Sequence, residues 1–124
     1  MTGYSVEIKE SSKELSAKER IALKDTSDAI KLDVACDEAP LIITPVAYAV
    51  LGIHNEKSDN KDYNNYLIMD KNGDKYVTGS DSFWSSFKDI YDEMLGEDEA
   101  YAIKAYKLDS KNYKGKKFLT CSII

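Results

Sequence analysis

Polar and apolar residues alternate at Tyr4, Val6 and Ile8, the period-two pattern of a short strand with one wet face. Arg20-Ile21-Ala22-Leu23-Lys24 alternates in the same way. Asp25-Thr26-Ser27-Asp28 then ends the run with turn-forming side chains, so a strand is predicted over residues 20–25. Ser16-Ala17-Lys18-Glu19 has the spacing of a capping box and competes for this stretch as a helix start. Ile30, Leu32 and Val34 form another short alternating run.

Beyond residue 40 the pattern sharpens. Val46 to Asn55, β-branched and apolar behind Pro45, predicts a strand, and Asn55 to Asn65 reads as a polar loop. Tyr66 to Asp70 and Lys75 to Thr78 flank Lys71-Asn72-Gly73-Asp74, a hairpin signal in which Asn-Gly supplies the two positive φ angles of a type I′ turn. Asp81 or Ser82 then caps a helix running to about Leu95. Its stripe Phe83, Phe87, Ile90 and Met94 faces a core, and Gly96 stops it. Ala100 to Leu108 alternates as a strand, Asp109 to Lys116 is a polar loop with Gly115, and Lys117 to Ile124 is a last strand.

This order describes a mainly β chain with one main helix. A helix between strands 3 and 4 of a five-stranded antiparallel barrel is the layout of an OB-like fold, which binds oligonucleotides across its second and third strands and the adjoining loops. Hairpin connections and a lone helix argue against a parallel α/β sheet. With 124 residues and no repeat or linker, residues 1–124 are expected to form a single domain.

Leu41 to Ile53 is the longest apolar run, and Thr44, Pro45, Tyr48 and Gly52 interrupt it well short of the ~18 to 20 residues of a spanning helix. The first residues lack the basic-then-apolar order of a signal peptide, so a cytoplasmic protein is expected. Cys36 and Cys121, without a CxxC pair, read as reduced thiols.

Charge adds an asymmetry that the net value of −5 conceals. Asp89, Asp92, Glu93, Glu97, Asp98 and Glu99 crowd one stretch with no basic residue among them. Ala102 to Phe118 holds six lysines against Asp109, a net of +5, so the rest of the chain carries −10. Such segregation marks either a polyanion-binding surface on an anionic body or lysines that solubilise edge strands.

Chemistry of other kinds finds little support. His54 has no nucleophile elbow or acid partner motif near it and reads as a structural or surface residue. Asp70, Asn72 and Asp74 are out of register for an EF-hand loop and suit a hairpin turn instead. No zinc ligand pattern and no phosphate-binding glycine loop occurs. An enzyme, a metal and a cofactor are therefore not expected.

The segment Lys104 to Phe118 is more informative. Lys104, Lys107, Lys111, Lys114 and Lys116 interleave with Tyr106, Tyr113 and Phe118. Lysines neutralise phosphates without regard to base sequence, and aromatic faces stack on unpaired bases. Alternation places Lys104 and Tyr106 on one side of their strand and Ile103 and Ala105 on the other. Tyr48, Tyr66 and Tyr76, with Lys57, extend the candidate set to the presumed second and third strands. Trp84, one position off the helix stripe, reads as core.

The hairpin Tyr66 to Tyr76, the helix segment Ser82-Phe83-Trp84-Ser85-Ser86-Phe87 and the run Ser110 to Ser122 together resemble the small single-stranded-DNA-binding proteins of phages and mobile elements of Gram-positive bacteria. The resemblance spans roughly residues 46–124. It implies an OB-like fold and sequence-independent coating of single-stranded DNA during replication or recombination. It departs from bacterial housekeeping versions in ending Cys-Ser-Ile-Ile, without their acidic tail. The expected partners are single-stranded DNA and, compatibly, further copies of the chain as a homo-oligomer. The alternative is an acidic decoy that binds and inhibits a host protein through Asp89–Glu99 and does not touch nucleic acid.

Overall fold

In the computed structural model, residues 3–12, 14–57, 61–97, 100–109 and 117–124 are described. The chain is mainly β, with eight strands and three helices in the order β1 (Tyr4–Ser11), α1 (Ala17–Lys24), β2 (Ile30–Lys31), α2 (Leu32–Glu38), β3 (Leu41–Ile43), β4 (Pro45–Asn55), β5 (Asp62–Asp70), β6 (Lys75–Thr78), α3 (Asp81–Met94), β7 (Ile103–Asp109) and β8 (Lys117–Ile123). The strands form a five-stranded sheet, β1-β4-β5-β6-β2, and a three-stranded sheet, β3-β7-β8. The orders are open, and edge strands remain at both ends of each. The pairs β1·β4, β3·β7, β5·β6 and β7·β8 are all antiparallel, as the hairpin signals require. The chain divides into two compact units, residues 1–30 with 46–79 and residues 31–45 with 80–124. The one main helix of the sequence reading, α3, is accompanied by two shorter ones, α1 and α2.

In the first unit, β4 is buried along most of its length and pairs with β1 through an irregularity between Ile8 and Glu10. Leu23, Ala49, Leu67 and Val77 form a core cluster, with Ile8, Leu15, Ala29 and Met69 packed against it. Residues 20–25, expected as a strand, belong to α1. The Ser16 hydroxyl accepts from the Glu19 amide at 3.2 Å, and the Glu19 carboxylate accepts from the Ser16 amide at 3.1 Å. Two satisfied end groups nucleate the helix, and an alternation of two apolar residues, Ile21 and Leu23, is too short to override them. Ile21, which the strand reading paired with Leu23, is 72% exposed. The run around Ile30 likewise shrinks to the two-residue β2 before α2 begins at Leu32. β5 starts at Asp62, inside the stretch expected to be a polar loop.

The β5–β6 hairpin forms where expected, with a different turn. Gly73 has φ +92°, and no residue other than glycine has a positive φ among the described residues. The Gly73 amide donates to the Asp70 carbonyl at 2.9 Å, and the Asp70 amide donates to the Asp74 carbonyl, also at 2.9 Å. This is a three-residue loop with a glycine bulge rather than a type I′ turn. The Asp70 carboxylate accepts from the Asn72 amide at 2.8 Å, which holds Asn72 at negative φ. Gly73→Ala is expected to cost about 1 to 2 kcal/mol in urea denaturation, because a Cβ opposes the left-handed conformation. An unchanged midpoint would contradict this turn geometry.

The second unit packs α2 and α3 with the three-stranded sheet. Ser80, one residue before the expected cap, accepts from the Phe83 amide at 3.2 Å. Phe83 and Phe87 are fully buried, and Trp84 stacks on Phe87 at 5.0 Å between centroids. The Ser82 hydroxyl donates to the Leu119 carbonyl at 3.0 Å, tying the start of α3 to β8. Gly96, at φ +86°, ends the helix as expected.

Candidate nucleic-acid interface

The register of β7 and β8 decides which side chains share a face. Lys104 opposes Ser122, Tyr106 opposes Thr120 and Leu108 opposes Phe118; Ile42 of β3 opposes Lys104. Opposed residues point to the same side of a sheet, and alternate residues along a strand point to opposite sides. Ile103, Ala105, Leu119 and Cys121 fill the inner side and are buried. On the outer side, Lys104 is exposed, Tyr106 is half-buried, and Ile42, Leu108 and Phe118 are 55%, 44% and 39% exposed. An aromatic and apolar strip edged by a lysine therefore faces solvent.

The Tyr106 and Ser122 hydroxyls share a hydrogen bond of 2.8 Å, which fixes the ring along the strand. Lys104 Nζ stands 5.4 Å from the Tyr106 ring centroid, close enough for a cation–π contact. Lys107 points to the other side, where it is ion-paired with Asp37 of α2. Inside the sheet, burial pushes the Cys121 thiol up to about 12, so it stays a neutral core group. Cys36 is also buried and a free thiol. Its Sγ lies 3.5 Å from the Ala105 carbonyl, and burial raises its pKa as well.

The three tyrosines expected on the second and third strands do not join this face. Tyr48, Tyr66 and Tyr76 are each 7% exposed, which leaves no ring face for a base. Tyr66 opposes Thr78, and Ile68 opposes Tyr76, on one side of β5–β6. Leu67 and Val77 occupy the other. Both sides are buried, whereas alternation alone implied one wet side. The Tyr48 hydroxyl donates to Glu10 at 2.8 Å. Lys57 is exposed in the other compact unit, with its amide donating to Asn55. Lys111, Tyr113, Lys114 and Lys116 lie outside the described residues. The sequence reading missed Leu108 and Ile42 because exposed aliphatic residues on a strand look identical to core residues without the register.

Neither a family model, nor a curated protein, nor a solved structure matches this chain.

His54, expected as a structural or surface residue, is held by hydrogen bonds in the β4–β5 connection. Its Nδ1 lies 2.7 Å from Asp62 Oδ1 and its Nε2 lies 2.6 Å from Glu56 Oε1, while Lys61 pairs with Glu56 at 3.3 Å. Both ring nitrogens can donate only in the imidazolium form. The Asp62 hydrogen bond first, then that of Glu56, raises the His54 pKa above its ordinary value. A group whose folded pKa is raised contributes stability that is complete below its unfolded pKa, about 6.5, and is lost as pH rises through the folded value. His54 is the one histidine, so its ring proton gives a single NMR titration. Asp62→Asn is expected to move that midpoint downward, and a midpoint that stays put would refute the clamp. No helix among the described residues is long and apolar enough to cross a membrane.

Proposed function

We propose that this protein binds single-stranded DNA without sequence preference, through the outer face of β3-β7-β8, in the replication or recombination of a phage or mobile element. The observation that supports the reading most is the placing of Tyr106 and Phe118 on one exposed sheet face beside Lys104, in the single cationic segment of an acidic chain. Tyr106 and Phe118 are diagonal neighbours across the β7–β8 pair, roughly 7 to 8 Å apart by the geometry of such pairs. Unpaired bases can lie on both rings while lysines meet the phosphates. A duplex hides its base faces and gains only the ionic part.

The expected OB-like barrel is the finer form of the fold reading, and single-strand binding across such a barrel would use its second and third strands. The open order of the two sheets and the burial of Tyr48, Tyr66 and Tyr76 lend that form no weight. The binding proposal rests on the β7–β8 face alone.

Fluorescence anisotropy of labelled oligo-dT tests the reading, since the lone Trp84 is buried and reports poorly on a surface event. With about four phosphates neutralised, the slope of log K against log salt is expected near −3. A duplex of equal length should bind far more weakly. Salt-independent binding, or equal affinity for the duplex, would overturn the proposal.

A further inference from the structure

β7 is the middle strand of its sheet, yet β3 covers one side of it only from Ile103 to Ala105. On the other side the register with β8 runs unbroken from Ile103 to Asp109, and in that same register the Ile124 amide donates to the Ala102 carbonyl at 3.0 Å. Hydrogen-bonded and non-hydrogen-bonded pairs alternate along an antiparallel ladder. Residues 104, 106 and 108 therefore bond to β8, while 103, 105, 107 and 109 turn their main-chain groups the other way. The Ala105 carbonyl agrees, since it accepts from Cys36 Sγ at 3.5 Å. The amides and carbonyls of Lys107 and Asp109 thus form an edge that no described strand covers. A cavity of about 240 Å³, walled by Cys36 to Pro40, opens beside Tyr106 and Lys107.

Other edges are guarded. The Ser82 hydroxyl donates to the Leu119 carbonyl on the free side of β8. β1 carries an irregularity after Ile8 and the exposed charges Glu7, Lys9 and Glu10. Devices of this kind block edge-to-edge pairing. At Lys107 and Asp109 the charges are spaced so that a copy of the same edge complements them.

We propose that a second copy of this chain pairs with this edge, β7 against β7 and antiparallel, about a two-fold axis at Leu108. The inference goes beyond single-strand binding and does not depend on it. Open main-chain groups lie at odd positions, which leaves the axis at Lys107, Leu108 or Asp109. An axis at Lys107 sets lysine against lysine, one at Asp109 sets aspartate against aspartate, and like charges directly opposed are destabilising. An axis at Leu108 sets Lys107 of each copy against Asp109 of the other, in hydrogen-bonded pairs that exchange two bonds each. Lys107 can serve both carboxylates, because its ammonium has three donors and Asp37 takes one. Asp109 is exposed. Leu108, 44% exposed beside Phe118, meets Leu108 of the second copy on the outer side and loses water there. The contact joins the outer faces of the two copies into one surface. It is short, so a weak dimer with a dissociation constant of about 0.1 mM is expected.

Sedimentation equilibrium of the full chain without nucleic acid, up to about ten times that constant, decides it. The mass is expected to rise toward the dimer, with the Lys107 and Asp109 amides gaining protection from hydrogen exchange. Asp109→Lys opposes like charges in both pairs and should raise the constant about tenfold or more, as should Lys107→Glu. Mixed in equal amounts, the two variants oppose lysine to carboxylate in both pairs and should associate as the parent does. Asp109→Lys lies at an exposed position and keeps the fold, so it decides alone if Lys107→Glu, which loses the Asp37 pair, unfolds.

A parent that stays monomeric over the whole range would overturn the proposal. So would a dimer that Asp109→Lys leaves intact, since another surface then holds the copies. Folded variants that stay apart when mixed would overturn the Leu108 axis and the proposal with it. None of these results bears on oligo-dT binding, which the anisotropy titration reads separately.

Discussion

Replacing Tyr106 and Phe118 together by alanine is expected to weaken binding of oligo-dT by about 2 to 4 kcal/mol, roughly 30- to 1000-fold. Each exposed ring supplies about 1 to 3 kcal/mol of stacking, and the half-buried Tyr106 belongs at the lower end of that range. Tyr106→Phe keeps the ring and removes only the hydrogen bond to Ser122, so it should bind nearly as the parent does. That contrast separates stacking from support of the strand. Phe118 is 39% exposed and contributes little to the core, so the double variant should unfold within about 1 kcal/mol of the parent. Equal affinity of the double variant and the parent would remove the face from the function.

The largest effect on stability is expected from Phe87→Ala, at about 3 to 5 kcal/mol in chemical denaturation. The Phe87 ring is fully buried, stacks on Trp84 at 5.0 Å and Phe83 at 6.4 Å, and meets Tyr91 at 5.7 Å. Removing it opens a cavity among aromatic neighbours that cannot collapse without breaking those contacts. Asp89→Ala, at an exposed position of the same helix, should change stability by no more than about 0.5 kcal/mol. Comparable losses from the two substitutions would contradict the packing of α3.

α3 and the β5–β6 hairpin were legible in the sequence because each carries redundant local signals. The helix has a cap, an apolar stripe and a terminating glycine, while the hairpin has two alternating arms about Asn72-Gly73. α1 was misread because its alternating residues were weighed above the Ser16–Glu19 cap. The turn type was misread because Asn-Gly suits two hairpin geometries, and the Asp70 carboxylate selects between them. Sheet topology was beyond reach. β1 pairs with β4, and β3 with β7, across long separations that no local pattern encodes.

The candidate site was half legible for the same reason. Lys104, Tyr106 and Phe118 stood out by composition, but their common face follows from the β7–β8 register. The tyrosines of β4, β5 and β6 carried the same pattern but are buried, because period-two alternation does not say whether the second side of a sheet is covered. Lys107 was counted as free charge, though Asp37, distant in sequence, neutralises it.

The central claim is one of location, and amide chemical-shift mapping with oligo-dT tests it most directly. The account expects saturable shifts centred on Lys104, Tyr106 and Leu108 of β7 and on Phe118 and Thr120 of β8, with Tyr48, Tyr66 and Tyr76 undisturbed. Shifts centred instead on β4–β6 or on the acidic end of α3, with the β7–β8 face unmoved, would contradict it.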